Sequence, residues 1–210
     1  MSIVLIGDVH GKTGTYQKIV RRLPEGQRSI QIGDMGIEFN GVGLHEMPLE
    51  HRWFRGNHDC PEKCRANKNY LGDYGYLEAD RLFYIAGAVS IDHEMRVEGI
   101  SWWRDEELSY LELKAAIDLY AEKKPRYVIS HEAPSSAGRV LLVDLIGQYF
   151  AAKGDCCNSR TANALQCMLE LHQPKERVFG HYHIDKSFEL LGTKFTCVAE
   201  LSRYELNTEA

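Results

Sequence analysis

The feature that most constrains this chain is a repeated junction: a short apolar run ends, often at a glycine, and an acid, a histidine or an asparagine follows at once. Ser2–Gly7 and Ser29–Gly33 are the clearest cases. Tyr127–Ser130 and Val178–Gly180 resemble them, and the run around Trp53–Gly56 is weaker. Short apolar runs bounded by turn residues read as buried strands. Helical patterns lie between them, over Thr15–Leu23, Glu106–Glu122, Val140–Ala152 and Thr161–Leu171. The longest puts Leu108, Leu111, Ala115, Leu119 and Tyr120 near one face and has Pro125 just beyond its end. Ser159 or Thr161 is available to cap the last. Leu82–Ala86, Ala88–Asp92 and Val97–Trp102 look like a meander, as do Phe188–Leu191 and Lys194–Val198 across the Leu191–Gly192 turn. The mixture predicts an α/β fold with helices outside a central sheet system. In such folds ligands bind at the carboxyl ends of strands, where the polar residues fall here.

Length and composition bound the rest. A chain of 210 residues, 44% of them hydrophobic, has enough apolar mass for one substantial core, so a single domain over 1–210 is expected. Charged residues (26%) are mixed in sign and the net charge is −5, which argues against a broad basic surface for long nucleic acid. A nucleotide or a strand end at a local site remains compatible with that balance. No stretch approaches the ~18 apolar residues of a membrane span, so no membrane partner is expected. The opening MSIVLIGD has neither a basic flank nor a cleavage pattern; it reads as a first strand, and a cytoplasmic location is expected. With six cysteines in a reducing compartment, free thiols are the expectation. Neither Cys60 with Cys64 nor the adjacent Cys156 and Cys157 has a second half at zinc-finger spacing.

Five blocks carry the chemistry: Gly7-Asp8-Val9-His10-Gly11, Gly33-Asp34, Gly56-Asn57-His58-Asp59, Ser130-His131 and Gly180-His181-Tyr182-His183. They supply Asp8, His10, Asp34, Asn57, His131, His181 and His183, which amount to two carboxylates, one amide oxygen and four imidazoles. Mixed nitrogen and oxygen donors suit Mn, Fe, Zn or Ni better than Mg or Ca, which prefer oxygen alone. The blocks contain no cysteine, which argues against a closed structural zinc site. Residues two apart, as in Asp8 with His10 and His181 with His183, can reach one site from a strand end or a tight turn. The glycines let the backbone turn sharply and approach an ion closely. Seven donors exceed what one ion needs and fit two ions about 3.5–4 Å apart that share a bridging carboxylate.

In this order the blocks resemble the calcineurin-like metallophosphoesterase superfamily, with its D-x-H, G-D, G-N-H-[DE], lone His and G-H-x-H, and the resemblance runs from Asp8 to His183. Chain length and the tract Ser101-Trp102-Trp103-Arg104-Asp105-Glu106 look like small bacterial and phage members. The resemblance implies a two-sheet β-sandwich flanked by helices, with a dinuclear site at the C-terminal ends of strands. It implies that one ion takes Asp8, His10, Asp34 and His183 and the other takes Asp34, Asn57, His131 and His181, with Asp34 as the bridge. His58 becomes the histidine beside the substrate that holds no metal. It is a candidate general acid, since an imidazole titrates in the right range. Asp59 is given no role in orienting it, because neighbours on an extended segment point apart.

The implied activity is hydrolysis of phosphate esters by a hydroxide that two divalent ions, Mn²⁺ foremost, make available near neutral pH. The acidic balance favours a small substrate, and a small or nucleotide-like phosphomonoester is the expectation. The alternative is a phosphodiesterase or nuclease acting on cyclic nucleotides or nucleic-acid ends. Protein Ser/Thr phosphatases of this superfamily carry G-D-x-x-D-R-G, and here Ile37 and Glu38 stand at the second Asp and the Arg, which counts against that role. Arg55, Arg104 and Arg139 are the candidates to contact phosphate instead.

Other readings account for less. Gly7–Thr13 nearly spells a P-loop, but three residues separate its glycines where four are needed, and two of the three are Asp and His. A binding scaffold that has lost its ligands fits poorly with seven donors and His58 all present. His45, His51, His93 and His172 read as surface or satisfied core groups. Trp102 and Trp103 read as packing rather than a base-stacking platform. The apolar run within Gly138–Asn158 reads as a packed helix rather than a lid or dimer contact.

Overall fold

The computed structural model describes residues 2–39, 47–143 and 158–208. Its strands form two sheets. In the first, β1 (Ser2–Ile6), β2 (Ser29–Ile32) and β3 (His51–Phe54) lie parallel, and β10 (Arg203–Asn207) runs antiparallel along the free side of β1. In the second, β5 (Leu82–Ile85), β6 (Tyr127–Ser130), β7 (Glu176–Phe179) and β9 (Thr193–Cys197) are parallel neighbours. The edges of that sheet, β4 (Tyr74–Leu77) and β8 (Lys186–Leu190), are antiparallel.

The sequences of the central strands explain this layering. β2, β5, β6 and β7 are buried along their whole length, as a parallel sheet covered on both faces requires. Alternation then divides each strand between two neighbours. Leu82, Tyr84, Tyr127 and Ile129 join Ile3, Leu5, Ile30, Trp53 and Phe54 in one core between the sheets. Phe83, Ile85 and Val128 turn the other way, onto Leu113, Ala116, Tyr120, Leu165 and Met168 of the outer helices. The result is the expected two-sheet sandwich with helices outside.

Five α-helices appear among the described residues: α1 (Thr13–Arg21), α2 (Pro61–Arg65), α3 (Tyr110–Lys123), α4 over 135–143, and α5 (Arg160–Leu171). α3 begins four residues later than the pattern predicts. Ser109 makes a capping box with Glu112, accepting from its amide at 3.3 Å while its own amide donates to the Glu112 carboxylate at 2.8 Å. The buried face also differs: it holds Leu113, Ala116 and Tyr120, and Leu111 is 81% exposed. α3 has apolar residues on more than one side, so periodicity leaves its face open. Tyr120 decides it, with its hydroxyl donating to the His172 carbonyl and its ring edge-on to Phe83. α5 is capped by Ser159, which accepts from the Ala162 amide at 3.0 Å.

The first expected meander is not formed. Only Leu82–Ile85 is a strand, and it pairs with β4 and β6. Ala88–Asp92 is irregular, and Val97–Trp102 closes a turn through a bond from the Gly99 amide to the Trp102 carbonyl. Ile91, Val97 and Ile100 are exposed, so the segment's apolar residues do not alternate into a core. The second meander is present as the β8–β9 hairpin across Leu191–Gly192. Residues 144–152 of the expected helix, Cys156, Cys157 and His45 lie outside the described residues. The described cysteines Cys60, Cys64, Cys167 and Cys197 are free thiols. No helix among the described residues is long and apolar enough to cross a membrane.

Candidate metal centre

The carboxyl ends of β1, β2, β3, β6 and β7 deliver the five polar blocks to one edge of the sandwich. Short-range bonds knit the loops together. The amides of Val9 and His10 both donate to the Asp34 carbonyl, at 2.8 and 2.9 Å, and the Gly180 amide donates to the His131 carbonyl at 3.2 Å. Asp59 is buried and accepts from the amides of Gly36 (2.6 Å), Ile37 (2.8 Å), Gly56 (2.9 Å) and Met35 (3.2 Å). It therefore ties the loop of Asp34 to the loop of Asn57, a task the sequence did not reveal. His10, Asp34, His181 and His183 all sit at positive φ, between 46° and 68°. Such positions cost non-glycine residues about 1–3 kcal/mol each and persist where the surroundings over-determine them.

Two clusters result. Asp8, His10, Asp34 and His183 each offer a donor atom within 4.8 Å of the others, and so do Asp34, His131 and His181. His10 Nε2 and His183 Nε2 are 2.8 Å apart, and His183 Nε2 is 3.0 Å from Asp8 Oδ2. Asn57 joins the second cluster through Oδ1, 3.2 Å from His131 Nε2, which is itself 3.3 Å from Asp34 Oδ1. All seven residues singled out as donors thus lie together. His58 stands beside them, its ring centroid 4.9 Å from that of His10, but belongs to neither cluster.

These residues fit divalent cations. Asp8 Oδ2 is buried, and although His183 Nε2 lies 3.0 Å away, no well-directed hydrogen bond reaches it. A Cβ at Gly56 would collide with Asp34 Oδ1, and one at Gly180 with Asp8 Oδ1, so the glycines keep the carboxylate oxygens open. The Nδ1 of His131 donates to the Ile32 carbonyl at 3.0 Å, leaving Nε2 as the lone-pair nitrogen. The Nδ2 of Asn57 donates to Ser90 Oγ at 3.0 Å, and that hydroxyl donates to Glu106 Oε2 at 2.6 Å. This chain turns the Asn57 oxygen toward the cluster. Charge points the same way. Burial works to raise the two carboxyls, but the surrounding histidines, His131 foremost, outweigh it: Asp8 is held at about 2 and Asp34 well below its ordinary value. Burial works to lower His131, but Asp34 and Asp8 push it up to about 10. Two buried carboxylates demand a cation, and a metal ion can take the place of that proton.

A cleft of about 400 Å³ opens over the clusters, lined by Asp34, Asn57, His58, Ser90, Arg96 and His181 among others. None of the three expected arginines lines it. Arg55 is sealed in the interior, where its Nε bonds Asp73 Oδ1 at 2.7 Å and its Nη1 bonds the Glu106 carbonyl. Arg104 pairs with Glu98 at the surface, and Arg139 is exposed on α4. Arg96 is the one Lys or Arg among the described residues of the cleft. Burial holds His58 down at about 4, with Arg96 adding to the depression against the pull of Asp34, so the ring is neutral here. The only sequence trace of Arg96 is its four-residue spacing from Asp92, in the link between two segments that read as strands. His93 is tied to the Ser90 carbonyl at 3.1 Å and has Trp102 tilted over it, which gives it a packing role.

Comparison with known proteins places this geometry in context. A search of curated proteins gives no match. Two of the solved structures that this chain matches are each 13% identical to it. A conserved protein of Streptococcus pneumoniae described as a predicted phosphoesterase has a TM-score of 0.40, with 98% of this chain and 83% of that one covered. The phosphopantetheinyl hydrolase of Mycobacterium tuberculosis has a TM-score of 0.42, with 95% and 89% covered. The profile of one family, described as calcineurin-like phosphoesterase, matches residues 1–185, a span that takes in all five polar blocks. The chain belongs to the calcineurin-like phosphoesterases.

Proposed function

We propose that this chain hydrolyses small or nucleotide-like phosphomonoesters with two divalent ions, Mn²⁺ foremost. Asp8, His10, Asp34 and His183 would hold one ion, and Asp34, Asn57, His131 and His181 the other. The observation that carries the reading is the sharing of Asp34 by two donor clusters, which is the arrangement a bridging carboxylate requires. Ions in such a pair lower the pKa of water toward neutrality and offset charge on phosphoryl oxygens.

The rest falls to the chain's own side chains. The Ile32 carbonyl and the Ser90–Glu106 pair fix the orientation of His131 and Asn57 before any ion arrives. Asp59 keeps two donor loops in register. His58, the cleft imidazole outside both clusters, is the residue we assign to the proton that the leaving oxygen takes up. Its neutral ring must gain a proton before it gives one, and a dianionic phosphate beside it favours that gain.

The test is metal content and turnover of the purified chain. It should carry close to two transition-metal ions, lose p-nitrophenyl phosphate turnover on chelation and recover it with Mn²⁺. A folded chain that takes up no metal, or turns over no phosphate ester once loaded, overturns the reading. His58→Asn then isolates proton transfer. The loss should approach ~10²–10⁴-fold for an alkyl phosphate, whose leaving group is a strong base, and be much smaller for a nitrophenyl ester. Equal losses with metal retained would move His58 from proton transfer to phosphate binding.

A further inference from the structure

Arg96 is built into the cleft wall with more donors than its partners can accept. Asp92 takes two of them, at Nε (2.7 Å) and Nη2 (2.9 Å). The Ser101 carbonyl accepts from Nη1 at 3.3 Å, and the Phe39 ring lies 5.6 Å from the guanidinium carbon. One further N–H on each terminal nitrogen remains. These two form a fork aimed at the two ring nitrogens of His58, at 3.1 and 3.0 Å.

His58 cannot satisfy that fork. A neutral imidazole has one lone pair in its plane and one N–H, so one guanidinium donor is met and the other faces a donor. A protonated ring would meet neither. Two oxygens on one phosphorus accept both at once, which is the geometry a guanidinium fork matches best. Arg96 is also placed to do this, since it lines the same cleft as Asp34, His58, His181 and His183.

We propose that Arg96 is the phosphate clamp of this site, its fork passing from His58 to the phosphoryl group as substrate binds, and that it selects monoesters over diesters. The inference rests on the phosphatase reading above. A monoester dianion offers three terminal oxygens and two charges, whereas a diester offers two oxygens and one charge. Cations held by the Asp8–Asp34 cluster draw on the same oxygens, so a fork that needs a pair finds far more on a monoester. The transfer also uncovers both nitrogens of His58, one of which has work at the leaving oxygen. Asp92 serves as a positioning residue that fixes the plane of the guanidinium.

The experiment uses the Mn²⁺-loaded chain and its Arg96→Gln and Arg96→Lys variants. It measures kcat and KM on p-nitrophenyl phosphate and on bis(p-nitrophenyl) phosphate, and the binding of inorganic phosphate by calorimetry. Arg96→Gln should weaken phosphate binding and lower monoester kcat/KM by about 10–100-fold, largely through KM. Diester kcat/KM should fall less, so the ratio between the two esters drops, with metal content unchanged. Arg96→Lys should recover only part, having the charge without the fork. Equal losses on both esters, or phosphate binding unaffected by Arg96→Gln, would overturn the clamp while leaving the phosphatase reading intact. A loaded parent chain that hydrolyses neither ester would instead overturn the phosphatase reading, and the phosphate calorimetry would still decide whether Arg96 holds the anion.

Discussion

The two donor clusters share Asp34 and differ in almost everything around it. The inner one is braced from behind: His131 is fully buried, its ring pinned by the Ile32 carbonyl, and Asn57 is held through Ser90 to Glu106. The outer one ends on His183, whose side chain is 49% exposed. A pinned donor has little freedom left to lose when an ion binds, whereas an exposed imidazole must be collected from solvent. The difference teaches that the inner site is built by the fold, while the outer site is completed by its occupant.

Breaking the shared element should have the largest effect. Asp34→Asn removes charge from both clusters at once, and turnover should fall by at least ~10²–10³-fold, the scale of losing one preorganised electrostatic group. Metal analysis should show both ions weakened. Retention of two ions at normal turnover would dissolve the idea of a shared carboxylate.

The next pair sharpens the contrast between inner and outer. His131→Ala leaves the Asp8 and Asp34 carboxylates buried without their main cationic neighbour, so the chelated protein itself should lose stability, by roughly 3–5 kcal/mol. His183→Ala touches an exposed ring, so the chelated protein should unfold at the parent's denaturant midpoint, and excess Mn²⁺ should restore most of the activity. Matching behaviour of the two variants would erase the distinction. The smallest effect belongs to Ser90→Ala, which frees the Asn57 amide without removing a donor. Metal affinity should drop by about 10–100-fold, as for other groups that orient ligands. An unchanged affinity would mean that the amide needs no brace.

Much of this architecture is legible in the sequence, because two signals are local. Short runs built on Ile and Val, such as Ser29–Ile32 and Tyr127–Ser130, announce buried strands, and the polar residue after each announces a strand end that meets a ligand. What stayed hidden depends on distant partners. β4 and β10 are partly exposed edge strands without an apolar run, and they exist because β5 and β1 offer them a partner. Ser90, Arg96 and Glu106 come from an irregular crossing over the strand ends, where the sequence pattern predicts strand for Ser90 and helix for Glu106 and leaves Arg96 between strands. Asp59 was visible beside His58, but its task depends on four amides, three of them more than twenty residues away in the chain.

The parallel strands give the molecule two ends of unlike character. Every donor loop leaves a strand at its carboxyl end, while Lys124–Arg126, His172–Lys175 and Leu191–Gly192 lead into β6, β7 and β9 at the other end. Leu191 and Gly192 form a two-residue hairpin turn with both φ values positive, and Leu191 is 58% exposed. That turn is where a guest could be spliced in, whether a peptide tag, a fluorescent partner or a new pair of termini. An enzyme tethered there would hang from its support with the cleft facing outward, so immobilisation and catalysis would not compete for the same surface.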